Sequence, residues 1–209
     1  MKTFRCTDEE LKYLSSRDAR LAAFIRKYNA EERRLHDDFF AGLCYNIVDQ
    51  QLSTKACLTL RAKLAERFGE ITPETVGNAE ELRACGLSQN KADCIAACAA
   101  LFRSGALSAE KAAGMTDKEL TDALTQVRGI GVWTAEMTLI FCLGRRDVLS
   151  ISDYGIRKGI SLLHGIDMKD KRTMEKFREL YSPCGTAASV CLWQIARMSA
   201  VEITEMISC

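Results

Sequence analysis

Between Leu120 and Leu143 two apolar-faced segments of helical length are joined by only four residues, Arg128-Gly129-Ile130-Gly131. Leu120, Ala123, Leu124 and Val127 stand at i, i+3, i+4 and i+7, the spacing of one helix face. Val132 to Leu143 starts a second helix directly after the turn. So short a join turns the second helix back on the first, and a helical hairpin is expected over 116–143. Glycines in the turn permit positive φ and leave no Cβ to hold off an approaching backbone. Amides of the turn and of the next helix's first turn then face outward with partial positive charge, which suits a phosphate. Taken alone, Gly-x-Gly is more often the C-cap of an ordinary helix pair.

The rest of the chain reads as helix as well. "TDEE" (Thr7 to Glu10) and "TDKE" (Thr116 to Glu119) fit the capping box, and Asn78, Ser88 and Ser108 are further candidate N-caps. Phe39, Phe40, Leu43, Cys44, Ile47 and Val48 recur at helical period, as do Ile95, Cys98 and Phe102. Alternating strand patterns are absent, so about ten short helices are expected in an all-α fold. Helices this short persist only by packing on one another. No linker, repeat or low-complexity tract divides the sequence.

A formal charge of +1 does not announce a nucleic-acid binder. Any basic surface must be local, with Lys55, Lys91, Arg128, Arg145, Arg146, Arg157 and Lys158 as its candidates. The longest apolar run, Val132 to Leu143, is shorter than a membrane span and is interrupted by Glu136. With no signal pattern before the first charged helix, a soluble, cytoplasmic protein is expected. The ten cysteines include no C-x-x-C pair and mostly lie on apolar faces, as reduced core thiols would.

After the hairpin comes an isolated carboxylate. V-R-G-I-G-V-W-T-A followed by D-Y-G-I-R-K resembles the helix–hairpin–helix DNA glycosylase superfamily, together with "IVDQQLSTKA" (Ile47 to Ala56), "GLSQNKA" (Gly86 to Ala92) and "SPCGTAASVCLWQIA" (Ser182 to Ala196). In this order the segments are similar to the 3-methyladenine DNA glycosylase II branch, over about residues 35 to 197. The resemblance implies hydrolysis of the N-glycosidic bond of alkylated purines in duplex DNA, as the first step of base excision repair. A base inside a duplex is out of reach, so the nucleotide must be flipped out. Bond cleavage leaves positive charge on the sugar, which one carboxylate stabilises while it orients the attacking water. Asp153 is the candidate for that carboxylate. It is expected to be the N-cap of a helix from Tyr154 to Leu163.

Relatives that also nick the strand carry a lysine in G-x-G-x-K-T-A whose amine forms a Schiff base. Trp133 occupies that place here, so a monofunctional enzyme without lyase activity is expected. The resemblance puts Trp133 and Trp193, with Tyr154 and Met137, on the walls of the base pocket, where indole faces would attract a flat cationic base. It makes Gln51 the wedge that fills the gap left by the flipped nucleotide, with Gln50 beside it. Ser53, Lys55, Lys91, Arg128, Gly129, Ile130, Gly131 and Thr134 complete the expected DNA-contacting set.

No cofactor is expected. Cys184-x6-Cys191 matches half of the iron–sulfur loop of some relatives, but Gln194 and Ala200 stand where its other two ligands would fall. A monovalent cation at the hairpin carbonyls is left open, and no catalytic metal is expected. The N-terminal β domain that some relatives carry is not expected here. Terminal helices (about 1–34 with 165–209) are expected to form one lobe and residues 35–164 a six-helix lobe, flanking a DNA cleft. Damaged double-stranded DNA is the expected partner of a monomer that makes no membrane contact. A uracil or mismatch glycosylase, or a non-catalytic hairpin protein that binds DNA structure, are the alternatives.

Overall fold

The computed structural model describes residues 2–208 of the 209. Among them thirteen helices and one pair of two-residue strands follow in the order β1 (Thr3–Phe4), α1 (Asp8–Arg17), α2 (Ala19–Lys27), β2 (Arg33–Arg34), α3 (Phe39–Asp49), α4 (Thr54–Phe68), α5 (Ala79–Ala84), α6 (Gln89–Arg103), α7 (Ala109–Gly114), α8 (Asp117–Thr125), α9 (Val132–Leu143), α10 (Tyr154–His164), α11 (Lys171–Tyr181), α12 (Gly185–Ile195) and α13 (Ala200–Ser208). The strands pair antiparallel, Thr3 opposite Arg34 and Phe4 opposite Arg33, and are too short to leave an alternating pattern in the sequence. Among the described residues no helix is long and apolar enough to cross a membrane.

The chain forms two compact units, Met1–Leu35 with Gly144–Cys209, and His36–Leu143. The expected boundary therefore moves. Residues 144–164 were assigned to the central helices, whereas α10 buries Ile156, Ile160 and Leu163 in the core of the terminal-helix unit.

That unit is built around α12, which is buried on nearly every side from Gly185 to Leu192. A helix apolar all round belongs at a centre, and α10, α2 and α11 pack against it. Gly159 is what lets α10 come so close. A Cβ there would lie 2.4 Å from the Leu192 carbonyl oxygen, so backbone meets backbone. The far end of α10 is held by polar groups. Arg20 Nη1 donates to the Leu163 carbonyl at 2.9 Å, and His164 Nε2 lies 3.0 Å from Asp18 Oδ2. Tyr181 donates its hydroxyl to the same Asp18 oxygen at 2.6 Å, while Asp18 Oδ1 caps α2 by accepting from the Arg20 and Leu21 amides. Burial pushes the Asp18 carboxyl up, but the bonds from His164, Tyr181 and Leu21 outweigh it and hold the pKa at about 2.

In the other unit α3 packs against α4, α6 and α9, and α8 against α9. Asn46 of α3 donates to Thr138 Oγ1 at 3.2 Å, and Thr138 donates to the Thr134 carbonyl at 2.8 Å, so the buried polar groups of this contact satisfy one another. The nine described cysteines are free, seven of them buried; Cys209 lies outside the described residues.

Two measurements check this packing. At an open helical site Gly→Ala gains up to about 1 kcal/mol. Gly159→Ala should instead cost about 1–3 kcal/mol through overpacking, seen as a lower urea midpoint. Because the Asp18 pKa of about 2 in the fold lies below the ~3.9 of an unfolded aspartate, its contribution is complete above about pH 4 and is lost as pH falls through about 2. The thermal stability gap between wild type and Asp18→Asn should therefore close as pH falls across that window.

Candidate active site

Asp153 is the N-cap of α10, with extended backbone (φ −74°, ψ 128°) and its side chain turned onto the helix it starts. Its Oδ1 accepts two hydrogen bonds, from the Ile156 amide at 2.9 Å and from the Trp193 indole Nε1–H at 2.9 Å. Asp153 is half-buried, and two donors, one backbone and one aromatic, hold its Oδ1. Gly155 makes room for the indole. A Cβ there would stand 2.8 Å from Trp193 Cδ1 and 3.1 Å from Asp153 Oδ1. Tyr154 is 65% exposed, with its ring on the surface at the start of the helix. Ser152, where many relatives have a second acid, lies 3.2 Å from the Ser150 hydroxyl.

Trp193 follows Leu192, the residue whose carbonyl seats Gly159. The backbone contact between α10 and α12 therefore also sets where the indole meets the carboxylate. Arg33 lies over the same indole, its Cζ 5.6 Å from the ring centroid. Nothing in the sequence pattern singled out Arg33, since a charged residue in a two-residue strand carries no periodic signal.

The hairpin is formed as expected in the other unit. Val127 and Ile130 are buried on either side of the turn, and the Ile130 amide donates to the Val127 carbonyl at 3.0 Å. Its two glycines differ. Gly129 has φ +99°, and a Cβ would fall 3.0 Å from Cys94 Cβ, so the fold itself demands glycine there. Gly131 has no positive φ, and a Cβ would meet no heavy atom within 4 Å. It is exposed at the start of α9, where first-turn amides lack acceptors within the helix. No internal neighbour accounts for a glycine at this position.

Several expected contact residues turn out to be internal. Thr134 is 2% exposed, and its hydroxyl accepts from Gln50 Nε2 at 2.9 Å. Gln50 Nε2 also donates to the Gly129 carbonyl at 3.0 Å, so this side chain ties its loop to the hairpin. The Ile130 side chain is buried and can offer nothing outward. Lys91 donates to the carbonyls of Val48 and Gln50, each at 2.7 Å, which pins the end of α3, and burial lowers its pKa from the usual lysine value. Ser53 is the N-cap of α4. Met137 is buried in α9, and Trp133, on the first turn of that helix, is half-buried.

Gln51, Leu52, Lys55 and Arg128 are exposed. Gln51 has φ +56°, a left-handed backbone that turns the loop outward, and Leu52 is 39% exposed beside it. Nothing in the sequence pattern singled out Leu52, which stands at helical spacing from the apolar Val48 and Ala56. Asp49 pairs with Arg61, which explains a carboxylate before the glutamines. Among the described residues no group of three or more His, Cys, Asp or Glu side chains could hold a metal ion.

Residues 44–183 match the "HhH-GPD superfamily base excision DNA repair protein" family. The chain is 33% identical to DNA-3-methyladenine glycosylase 1 of Schizosaccharomyces pombe over 86% of its own length and 82% of the relative's. A crystal structure of DNA-3-methyladenine glycosidase from Bacillus halodurans superposes with a TM-score of 0.82, at 32% identity and full coverage of both chains. The S. pombe 3-methyladenine DNA glycosylase in complex with abasic DNA gives a TM-score of 0.80, at 31% identity over 92% of this chain and 98% of that one. The protein belongs to the HhH-GPD superfamily of base excision DNA repair proteins.

The role of Lys91 is open to measurement. Lys91→Met, which leaves two carbonyls without their donor, should cost about 1–3 kcal/mol in denaturant unfolding. The salt dependence of DNA affinity should not change; a phosphate contact would lower its slope by about one.

Proposed function

We propose that the protein is a monofunctional DNA glycosylase that hydrolyses the N-glycosidic bond of alkylated purines of the 3-methyladenine and 7-methylguanine type in duplex DNA. The observation that carries this reading is the Asp153 carboxylate, held by the Ile156 amide and the Trp193 indole at the start of α10. Relatives that match most of this chain are named DNA-3-methyladenine glycosylases, and one of them is seen bound to abasic DNA.

In the reaction the C1′–N bond breaks and the base leaves with its electron pair. Positive charge develops on the deoxyribose, and water adds to C1′ with loss of a proton. A carboxylate already held by two donors stabilises that charge without first reorganising. It also accepts a hydrogen bond from the incoming water and so directs its lone pair at C1′. Trp133 offers no amine where strand-nicking relatives have lysine, so no Schiff base forms and the product is an intact strand with an abasic site.

On the hairpin unit, Gly131 and the first turn of α9 suit a phosphate, and Lys55 and Arg128 add exposed positive charge. The loop that Gln50 ties to this hairpin presents Gln51 and the apolar Leu52, a side chain fit to enter the stack where a nucleotide has left. The protein acts as a monomer in this reading and needs no cofactor.

Single-turnover release of 3-methyladenine from methylated duplex tests the assignment. Asp153→Asn should lower the rate by about a hundredfold or more while affinity for abasic DNA is kept. The wild-type product strand should stay uncut until treated with alkali. Full activity in Asp153→Asn would sink the mechanism.

A further inference from the structure

Two side chains outside the reacting atoms meet Asp153 in series. The Trp193 indole N–H donates to Oδ1, and the Arg33 guanidinium lies over that indole. The geometry points to Arg33 and Trp193 as positioning residues for the Asp153 carboxylate, the arginine acting through the indole. This inference rests on the reading of Asp153 as the carboxylate at the sugar.

The arrangement is built. Trp193 is held by the seating of α10 on α12 and enters above Gly155, where a methyl group would displace it. Arg33 is brought to it by the segment that precedes β2. Gln194, the neighbour of Trp193, accepts from the Glu31 amide at 2.9 Å and donates to the Asn29 carbonyl at 3.0 Å, gripping this segment from both sides. Glu31 pairs with Arg197 and lies 3.3 Å from Arg33 Nη2, which leaves the three-residue cluster with one net positive charge. The β1–β2 pairing fixes Arg33 opposite Phe4.

A cation over an indole draws on the ring's π density. The N–H at the ring edge becomes a stronger donor, because coupled polar contacts polarise one another. The acceptor here is the carboxylate. Its Oδ1 is thereby held against the α10 amide and indole together, and the direction of its other oxygen is set before a sugar arrives. A ring already facing a cation is also a weaker host for a second one, so Trp193 serves the acid more than it serves a cationic base.

A double-mutant cycle on single-turnover 3-methyladenine release tests this, with abasic-DNA affinity measured in parallel. Trp193→Phe keeps a ring and removes the donor; it should slow release roughly ten- to hundredfold. Arg33→Met keeps a long apolar stem without charge and should slow release roughly two- to fivefold. Abasic-DNA affinity should hold in both. In the Trp193→Phe background, Arg33→Met should have no further effect, since the arginine acts through the N–H. If the two losses multiply, or if Arg33→Met chiefly weakens DNA binding, the inference is overturned. Arg33→Met alone keeps the test open should Trp193→Phe fold poorly, because in ¹⁵N-labelled protein it should shift the Trp193 indole N–H resonance upfield; an unmoved resonance overturns the inference too. Asp153→Asn separates the two readings. If it is inactive while Trp193→Phe is normal, only the positioning role fails; if it is active, the glycosylase mechanism itself fails.

Discussion

The contact of Gly159 with the Leu192 carbonyl is the constraint on which the half of the molecule that carries Asp153 depends. Helix axes usually pack with side chains between them. Here a glycine removes that layer, and α10 lies directly on the backbone of α12. One end of α10 carries Asp153, and the residue after Leu192 is Trp193, so a single close approach registers acid and indole together. At the other end of α10, Arg20, Asp18 and Tyr181 satisfy the polar groups that a buried helix terminus would otherwise leave unpaired. The helix is thus held at both ends, by close packing and by a buried carboxylate.

The hairpin separates two uses of glycine that look the same in a sequence. Gly129 is needed by the protein itself, for a left-handed turn pressed against Cys94. Gly131 faces open space, and no contact within the protein requires its lack of a side chain. Beside it, Gln50 and Lys91 hold the neighbouring loop through carbonyl and hydroxyl partners, which lets Gln51 and Leu52 project from a fixed base.

Much of the fold was legible because local chemistry decides it. Thr7, Asn78, Ser88, Ser108 and Thr116 cap helices as the sequence suggests, and Asp153 caps α10. The unit to which α10 belongs was not legible. Ile156, Ile160 and Leu163 declare an apolar face but not its partner, which here is distant in sequence. The same limit explains Lys91 and Thr134. A lysine on a helix and a threonine after a glycine turn look available to phosphate, and only the fold reveals the carbonyls of Val48 and Gln50 or the amide of Gln50 beside them. Arg33 was invisible for the same reason, since its indole partner is 160 positions later and no periodicity links them.

The wealth of cysteine carries a consequence for a protein of this trade. Methylating electrophiles attack whatever nucleophile they reach, and among proteins the prime victim is the thiolate, not the thiol. Burial pushes up Cys6, Cys44, Cys57, Cys85, Cys142, Cys184 and Cys191, Cys6 to about 11 and Cys142 to about 12. Burial thus disfavours the thiolate at each of these positions. The burial that packs these thiols into the interior thereby also lowers their reactivity toward electrophiles.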